Sequence, residues 1–242
     1  MKISIILPAY NEEARLPSCL DQLLAYLSTL EFQYEVIISA DGCTDETETV
    51  ASEYKAINSN VIIVSFPQRL GKGGGILNAA KAASGDIFLV IDVDQAVPIT
   101  QIPLVLKVID EEEVDIVYGS RYLRGSKILV HPPIYRRILS RGFNLLFRLL
   151  LRIELYDTQC GFKAIKKSVL NALLGELSIK GFAFDVDLAV KAEKNGYRLL
   201  EIPVTWSYMG GSTINALKEI IEMGRDLLIV WLESLRTHTH AS

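Results

Sequence analysis

Ile87-Phe88-Leu89-Val90-Ile91-Asp92-Val93-Asp94 is a run of five apolar residues that ends on two carboxylates one residue apart. So short and continuous an apolar run reads as a strand covered on both faces, the situation of strands in parallel sheets. The pattern recurs on either side of it. Ile3–Leu7, Tyr34–Ala40, Val61–Ser65, Asp86–Ile91 and Val114–Gly119 read as strands, with helices expected over Glu12–Leu30, Thr44–Lys55, Gly74–Ala83 and Ile99–Asp110. This order implies an α/β fold: a mostly parallel sheet with helices on both faces. Such sheets bind ligands beyond the carboxyl ends of their strands. Four of these ends carry polar residues: Pro8-Ala9-Tyr10-Asn11-Glu12, Asp41-Gly42-Cys43-Thr44-Asp45, Asp92-Val93-Asp94 and Ser120-Arg121.

After Arg121 the rhythm breaks. A loop through His131-Pro132-Pro133 leads to a helix expected over Ile134–Ile153. Gly161–Ile165 and Arg198–Trp206 follow as strands, and Phe184–Asn195 and Thr213–Leu235 as helices, the last one amphipathic. With no linker or repeat in 242 residues, one domain over 1–242 is expected. The break in rhythm divides it into halves, 1–122 and 123–242.

Half the residues are hydrophobic and 22% charged, which excludes a disordered chain. Three scattered cysteines, Cys19, Cys43 and Cys160, suit a reducing compartment and exclude a disulfide framework. No apolar run reaches the length of a membrane span, and Met1–Leu7 lacks the features of a secretion signal. The expected location is cytoplasmic, peripheral at the membrane face. The formal net charge is −4, yet Ile116–Ile153 holds eight Lys/Arg and no acid, leaving −12 for the remainder. A single basic block on an acidic chain points to a local anionic partner, and not to nucleic acid.

Two carboxylates at a strand end suit a hard divalent cation that also takes phosphate oxygens. The competing reading is turn and capping acids, and it is favoured for the second copy, Phe184-Asp185-Val186-Asp187, which opens a helix. Gly71-Lys72-Gly73-Gly74-Gly75 precedes a helix and could present amides and Lys72 to phosphates, although it meets neither nucleotide-loop pattern. On the Ile134–Ile153 helix, Arg137, Arg141, Asn144, Arg148 and Arg152 share one stripe opposite a broad apolar side. Such a stripe is either a solvated face or a surface for anionic lipid.

Together these motifs resemble family 2 glycosyltransferases of the GT-A fold. Leu7–Glu13, Asp41–Asp45, Gly71–Gly73, Asp92–Asp94 and Gly119–Tyr122 stand in the family's order. Asp157-Thr158-Gln159-Cys160-Gly161-Phe162-Lys163, Phe184–Asp187 and Met223–Leu228 look like dolichyl-phosphate glucosyltransferases, while the front half and Tyr135-Arg136-Arg137 are shared with the mannose synthases. The resemblance implies that Pro8, Ala9, Tyr10, Glu12 and Asp41 hold the nucleotide sugar, with Lys72 and Asp92 beside it. It makes 1–122 the nucleotide-sugar half and 123–242 the acceptor and membrane-surface half. It places Mg²⁺ or Mn²⁺ on Asp92 and Asp94, and the lipid phosphate on Arg121, Arg136 and Ser140. Asp94, Arg121 and Asp157 are the expected catalytic group, Asp157 orienting arginines or acceptor. Three features depart from the family. Ala96 stands where relatives often carry a metal-binding Gln, Gly211-Ser212-Thr213 lacks a phosphate-seeking Lys, and the membrane helices common among relatives are missing.

The implied reaction is transfer of a hexose, with UDP-glucose as favoured donor, to dolichyl or polyprenyl phosphate at an anionic membrane surface. A phosphate monoester is mostly dianionic at neutral pH and needs positioning, not a general base. Attack opposite the leaving group inverts the anomeric centre. Three alternatives stand beside this one: a GDP-mannose-dependent synthase or a transferase for another glycan, a nucleotidyltransferase, and a non-catalytic membrane-surface adaptor.

Overall fold

The computed structural model describes residues 1–210 and 216–238. Eight helices and nine strands follow in the order β1 (Lys2–Ala9), α1 (Leu16–Leu27), β2 (Gln33–Asp41), α2 (Thr47–Ile57), β3 (Val61–Phe66), α3 (Lys72–Ala82), β4 (Ile87–Ile91), α4 (Ile102–Glu111), β5 (Ile116–Ser120), β6 (Lys127–Val130), α5 (Ile134–Leu151), β7 (Phe162–Lys166), α6 (Lys167–Leu173), α7 (Phe184–Lys194), β8 (Leu199–Pro203), β9 (Thr205–Ser207) and α8 (Ala216–His238). Seven strands form one sheet in the order β3-β2-β1-β4-β7-β5-β8. All neighbours are parallel except β7, which runs antiparallel to both β4 and β5.

Strand alternation divides the core between the two faces of this sheet. Ile3, Ile5, Leu7, Val36, Ile38, Leu89 and Ile91 pack with Leu16, Leu20 and Leu23 of α1 and Val105 and Ile109 of α4. Ile6, Ile37, Phe88, Val90 and Ile165 face the other way, toward Ile76 of α3, Leu170 of α6, Val186 of α7, Phe147 of α5 and Leu227 of α8. Each central strand is therefore buried on both sides, as the apolar runs require.

Four departures from the sequence reading have local causes. α1 begins at Leu16, with Pro17 in its first turn, where a missing N–H costs nothing. The stretch Arg198–Trp206 breaks at Val204: β8 stays in the main sheet, and β9 joins the unforeseen strand β6 in a two-stranded ribbon. The second Asp-Val-Asp does not cap its helix. Asp185 forms an ion pair with Lys163, both almost fully buried, while Asp187 accepts Ser178 N and Ile179 N at 2.9 and 3.1 Å and pairs with Lys191 at 2.8 Å. Finally, α5 turns its mixed side inward. Phe147 and Asn144 are buried and Arg136, Arg137 and Arg148 half-buried, whereas Ile138, Leu145 and Leu149 are exposed by 57–69%. Much of the helix's apolar side is thus its outer face, while Phe143, Leu150 and Leu151 pack against the core.

A second polar knot fastens the amino-terminal edge of the sheet. Glu35, buried on β2, receives Ser4 Oγ, Ser84 N and Ser84 Oγ at 2.6 Å each, and Lys2 Nζ at 2.7 Å. Burial pushes its acidity the other way, but the hydrogen bonds from Lys2, Ser4 and Ser84 outweigh it and hold the carboxyl at about 2, against an ordinary 4.5. A depressed acid stabilises the fold above the ordinary value and loses that contribution as the pH falls toward 2. Thermal melts between pH 7 and pH 3 are expected to converge for wild type and Glu35→Gln. The wild type should lead by roughly 2 kcal/mol at pH 7, a figure already lowered for the exposure of Lys2. A constant gap across that range would show that the knot contributes nothing through its charge.

Candidate active site

The strand ends converge on one cavity of about 810 Å³. Pro8, Ala9, Tyr10, Glu12, Asp41, Lys72, Asp92, Asp94, Arg121, Arg136 and Ser140 all line it. Asp157 does not; it lies behind Arg121, fully buried.

At the β2 end, Asp41 accepts Leu70 N at 2.6 Å and Gly71 N at 2.8 Å. It thereby pins the glycine loop whose Gly71 has φ 93°, a conformation costly for any side chain. The same loop puts the Arg69 guanidinium 3.9 Å from the centre of the Tyr10 ring. Arg69 was not singled out from the sequence, because nothing in its local pattern separates it from a surface arginine. Glu12 is engaged by Arg15 through two hydrogen bonds of 2.6 and 2.8 Å. Burial raises its carboxyl, Arg15 opposes that, and Asp94 and Asp92 add to it.

At the β4 end, Lys72 Nζ lies 2.7 Å from Asp92 Oδ1. Burial disfavours ionisation of Asp92, yet Lys72, with Lys163 and Arg121 behind it, holds the carboxyl below its usual range. Asp94 shifts the opposite way, raised by burial and then by the Asp92 charge. Its Oδ1 accepts Ala96 N at 3.0 Å. Gln95 adopts φ 50° and sends its amide into α1, donating to Cys19 O at 3.0 Å, so it does not replace the absent Gln at position 96. Gly161 on the neighbouring segment is required by contact: a Cβ there would stand 1.7 Å from Asp92 Oδ2.

At the β5 end, Arg121 is fixed by Asp157. Its backbone N, Nε and Nη2 donate to the one carboxylate at 2.9, 2.7 and 2.8 Å, a fork-on-fork pairing. Tyr122 and Ser140 hydroxyls lie 2.9 Å apart, joining β5 to α5, and the Arg136 guanidinium stands 5.7 Å from the Tyr208 ring centre. The carboxylates lining the cavity are Glu12, Asp41, Asp92 and Asp94, all on the β1, β2 and β4 side. The opposite side presents Arg121, Arg136, Arg137 and Arg141.

Residues 4–174 match glycosyl transferase family 2. The chain belongs to that family. Dolichyl-phosphate β-glucosyltransferase of Drosophila melanogaster is 34% identical over 247 residues, covering 97% of this chain and 76% of that protein. The human protein of the same name is 30% identical, with the same coverage of 97% and 76%. Glycosyltransferase AglD of Haloferax volcanii is 31% identical over 96% of this chain, which spans only 37% of AglD's length. Among solved structures, Mycobacterium tuberculosis glucosyl-3-phosphoglycerate synthase, crystallised with Mn²⁺, UDP-glucose and phosphoglyceric acid, superposes with a TM-score of 0.68 at 23% identity. The superposition covers 96% of this chain and 79% of the synthase. It establishes the GT-A fold.

The donor set of this family 2 glycosyltransferase fits a divalent cation. Asp92 and Asp94 offer hard oxygen ligands side by side, and their mutual repulsion, visible in the raised Asp94 carboxyl, is what a cation relieves. Among the described residues no third His, Cys, Asp or Glu joins them. The Gly211-Ser212-Thr213 departure lies outside the described residues.

Proposed function

We propose that the protein transfers glucose from UDP-glucose to dolichyl or another polyprenyl phosphate, with inversion, at a membrane surface. One observation carries this reading: a single cavity takes all its lining carboxylates from the β1, β2 and β4 side, while the β5 and α5 side presents Arg121, Arg136, Arg137 and Arg141 with no acid among them. Asp92 and Asp94 would hold a divalent ion, which supplies stabilisation of charge on the departing diphosphate. Lys72, beside them, offers a further positive group, and Pro8, Ala9, Tyr10 and Glu12 border the nucleotide. Arg121 is rigid because Asp157 consumes its freedom, so it presents a fixed positive charge to an entering phosphate at little further entropic cost. Arg136 and Ser140 border the same end. A phosphate dianion is already an adequate nucleophile, which matches a basic end without a general base. The 30–34% identical glucosyltransferases favour glucose over mannose.

Incubating the protein and Mn²⁺ with UDP-glucose or GDP-mannose and a polyprenyl phosphate tests the proposal. A glucosylated lipid phosphate is expected from UDP-glucose. Product from GDP-mannose alone would overturn the donor assignment, and product from neither would overturn the acceptor class.

Among the described residues no helix is long and apolar enough to cross a membrane. The outer face of α5 meets the lipid instead. Ile138, Leu139 and Leu146 lie both on that exposed face and at the wall of the cavity, so an apolar path leads from the surface to the arginines. Leu145 and Leu149, 57% and 69% exposed, extend the face without lining the cavity. The exposed Arg141 and Arg152 lie on the same helix segment, where each is worth about 1 kcal/mol near an anionic surface. Leu145→Glu with Leu149→Glu is expected to weaken binding to anionic vesicles at least tenfold, since burying each leucine is worth about 1.5–3 kcal/mol. Transfer to a long-chain acceptor should fall with it, while transfer to a short, soluble acceptor phosphate persists. Unchanged sedimentation with vesicles would remove α5 from the interface.

A further inference from the structure

Glu201 sits on β8, the edge strand, in register with Tyr118 of β5. Its two carboxylate oxygens accept two consecutive amides of the segment before β7: Tyr156 N on Oε2 and Asp157 N on Oε1, each at 2.7 Å. The same side chain hydrogen-bonds Ser120, the fully buried residue next to Arg121. One carboxylate therefore holds both partners of the Arg121–Asp157 pair, through the backbone of one and the chain neighbour of the other.

The geometry is demanding. Asp157 meets Arg121 through three N–H groups, so the guanidinium points wherever the Asp157 backbone is held. The Arg121 guanidinium also lies 5.4 Å from the ring centres of Tyr122 and Trp206, which limit where it can go but provide no directed hydrogen bond. Among the described residues its directed hydrogen bonds go to Asp157, whose backbone N in turn donates to Glu201. Glu201 does not line the main cavity; it lines a smaller one together with Glu154 and Glu193.

We infer that Glu201 is a positioning residue for acceptor-phosphate binding, aiming Arg121 through Asp157. This rests on the reading of Arg121 as the acceptor-phosphate group. A misplacement of about 1 Å in a positioned group can cost on the order of 100-fold. Loss of the fork should thus appear in acceptor affinity and leave the donor end, on β1, β2 and β4, as it was.

Titration calorimetry with farnesyl phosphate and, separately, with UDP-glucose and Mn²⁺ tests this on the full chain. Glu201→Gln keeps one accepted amide and preserves the fold even where Glu201→Ala does not. For Glu201→Gln, farnesyl phosphate binding is expected to weaken about tenfold, with UDP-glucose binding unchanged. In an Arg121→Ala background the same substitution should have no further effect, because the group it aims is gone. Equal losses of donor and acceptor binding, or the same loss in the Arg121→Ala background, would reveal general loosening and overturn the inference. Weakened binding by Arg121→Ala with wild-type binding by Glu201→Gln would overturn the positioning role alone. Wild-type farnesyl phosphate binding by Arg121→Ala would overturn the acceptor reading and the inference together.

Discussion

Asp94→Asn should abolish most of the turnover and leave the protein as stable as before, or slightly more so. The carboxylate has one hydrogen bond to the chain, from Ala96 N, which an amide oxygen accepts equally well. Its charge is held against burial and against Asp92, so neutralising it removes a repulsion. Activity should move the other way, since a cation ligand worth several kcal/mol in the transition state corresponds to about 10²–10⁴-fold in kcat. Measuring kcat at saturating Mn²⁺ beside a urea melt separates the two effects. Turnover within tenfold of wild type, or full activity in excess chelator, would remove the metal from Asp94. The expected opposition of stability and activity is the usual sign of a group retained for chemistry.

Asp157→Asn should damage both. The carboxylate is fully buried and receives three N–H groups of Arg121, and an amide can accept from only part of that fork while its NH₂ faces further donors. Breaking a buried pair by removing one charge costs about 3–5 kcal/mol, so the urea midpoint should fall accordingly. Transfer should drop by about 100-fold or more through the acceptor, because Arg121 loses its direction. A variant that kept its midpoint and lost only activity would show that Asp157 touches substrate itself. One that kept its activity would release Arg121 from the assigned role.

The carboxylate end of the cavity was legible because it is local. A five-residue apolar run followed by Asp92-Val93-Asp94 fixes strand, direction and terminal acids within eight positions. Arg121 was legible at a strand end, but its partner Asp157 only through resemblance, since the two lie 36 residues apart. Lys163 shows why. In Phe162-Lys163-Ala164-Ile165-Lys166 it falls on the same strand face as Ile165, a core position where a charge is not expected, and it is buried there against Asp185, from a helix that begins at Phe184. Only tertiary pairing makes that burial tolerable, and no window of the sequence contains both charges. The side on which α5 packs was not legible for a related reason. Its leucines have the density of a core helix, but the buried positions go to Asn144 and Phe147, and the aliphatic majority faces outward.

The strand order has a consequence for how this enzyme can be taken apart. β5 belongs to the first 122 residues by sequence, but its two neighbours in the sheet are β7 and β8; it does not pair with β4. A fragment ending at Tyr122 would therefore carry β5 with no strand to pair with and leave β4 a bare edge, the kind of surface that invites aggregation. The complementary fragment would hold β7 with neither partner. Segments of relatives cannot be exchanged as cassettes at that boundary. A working chimaera would have to carry β5, β7 and β8 across together. Loops and α5 can vary beside such a sheet, whereas β4, β7, β5 and β8 stand or fall as one unit.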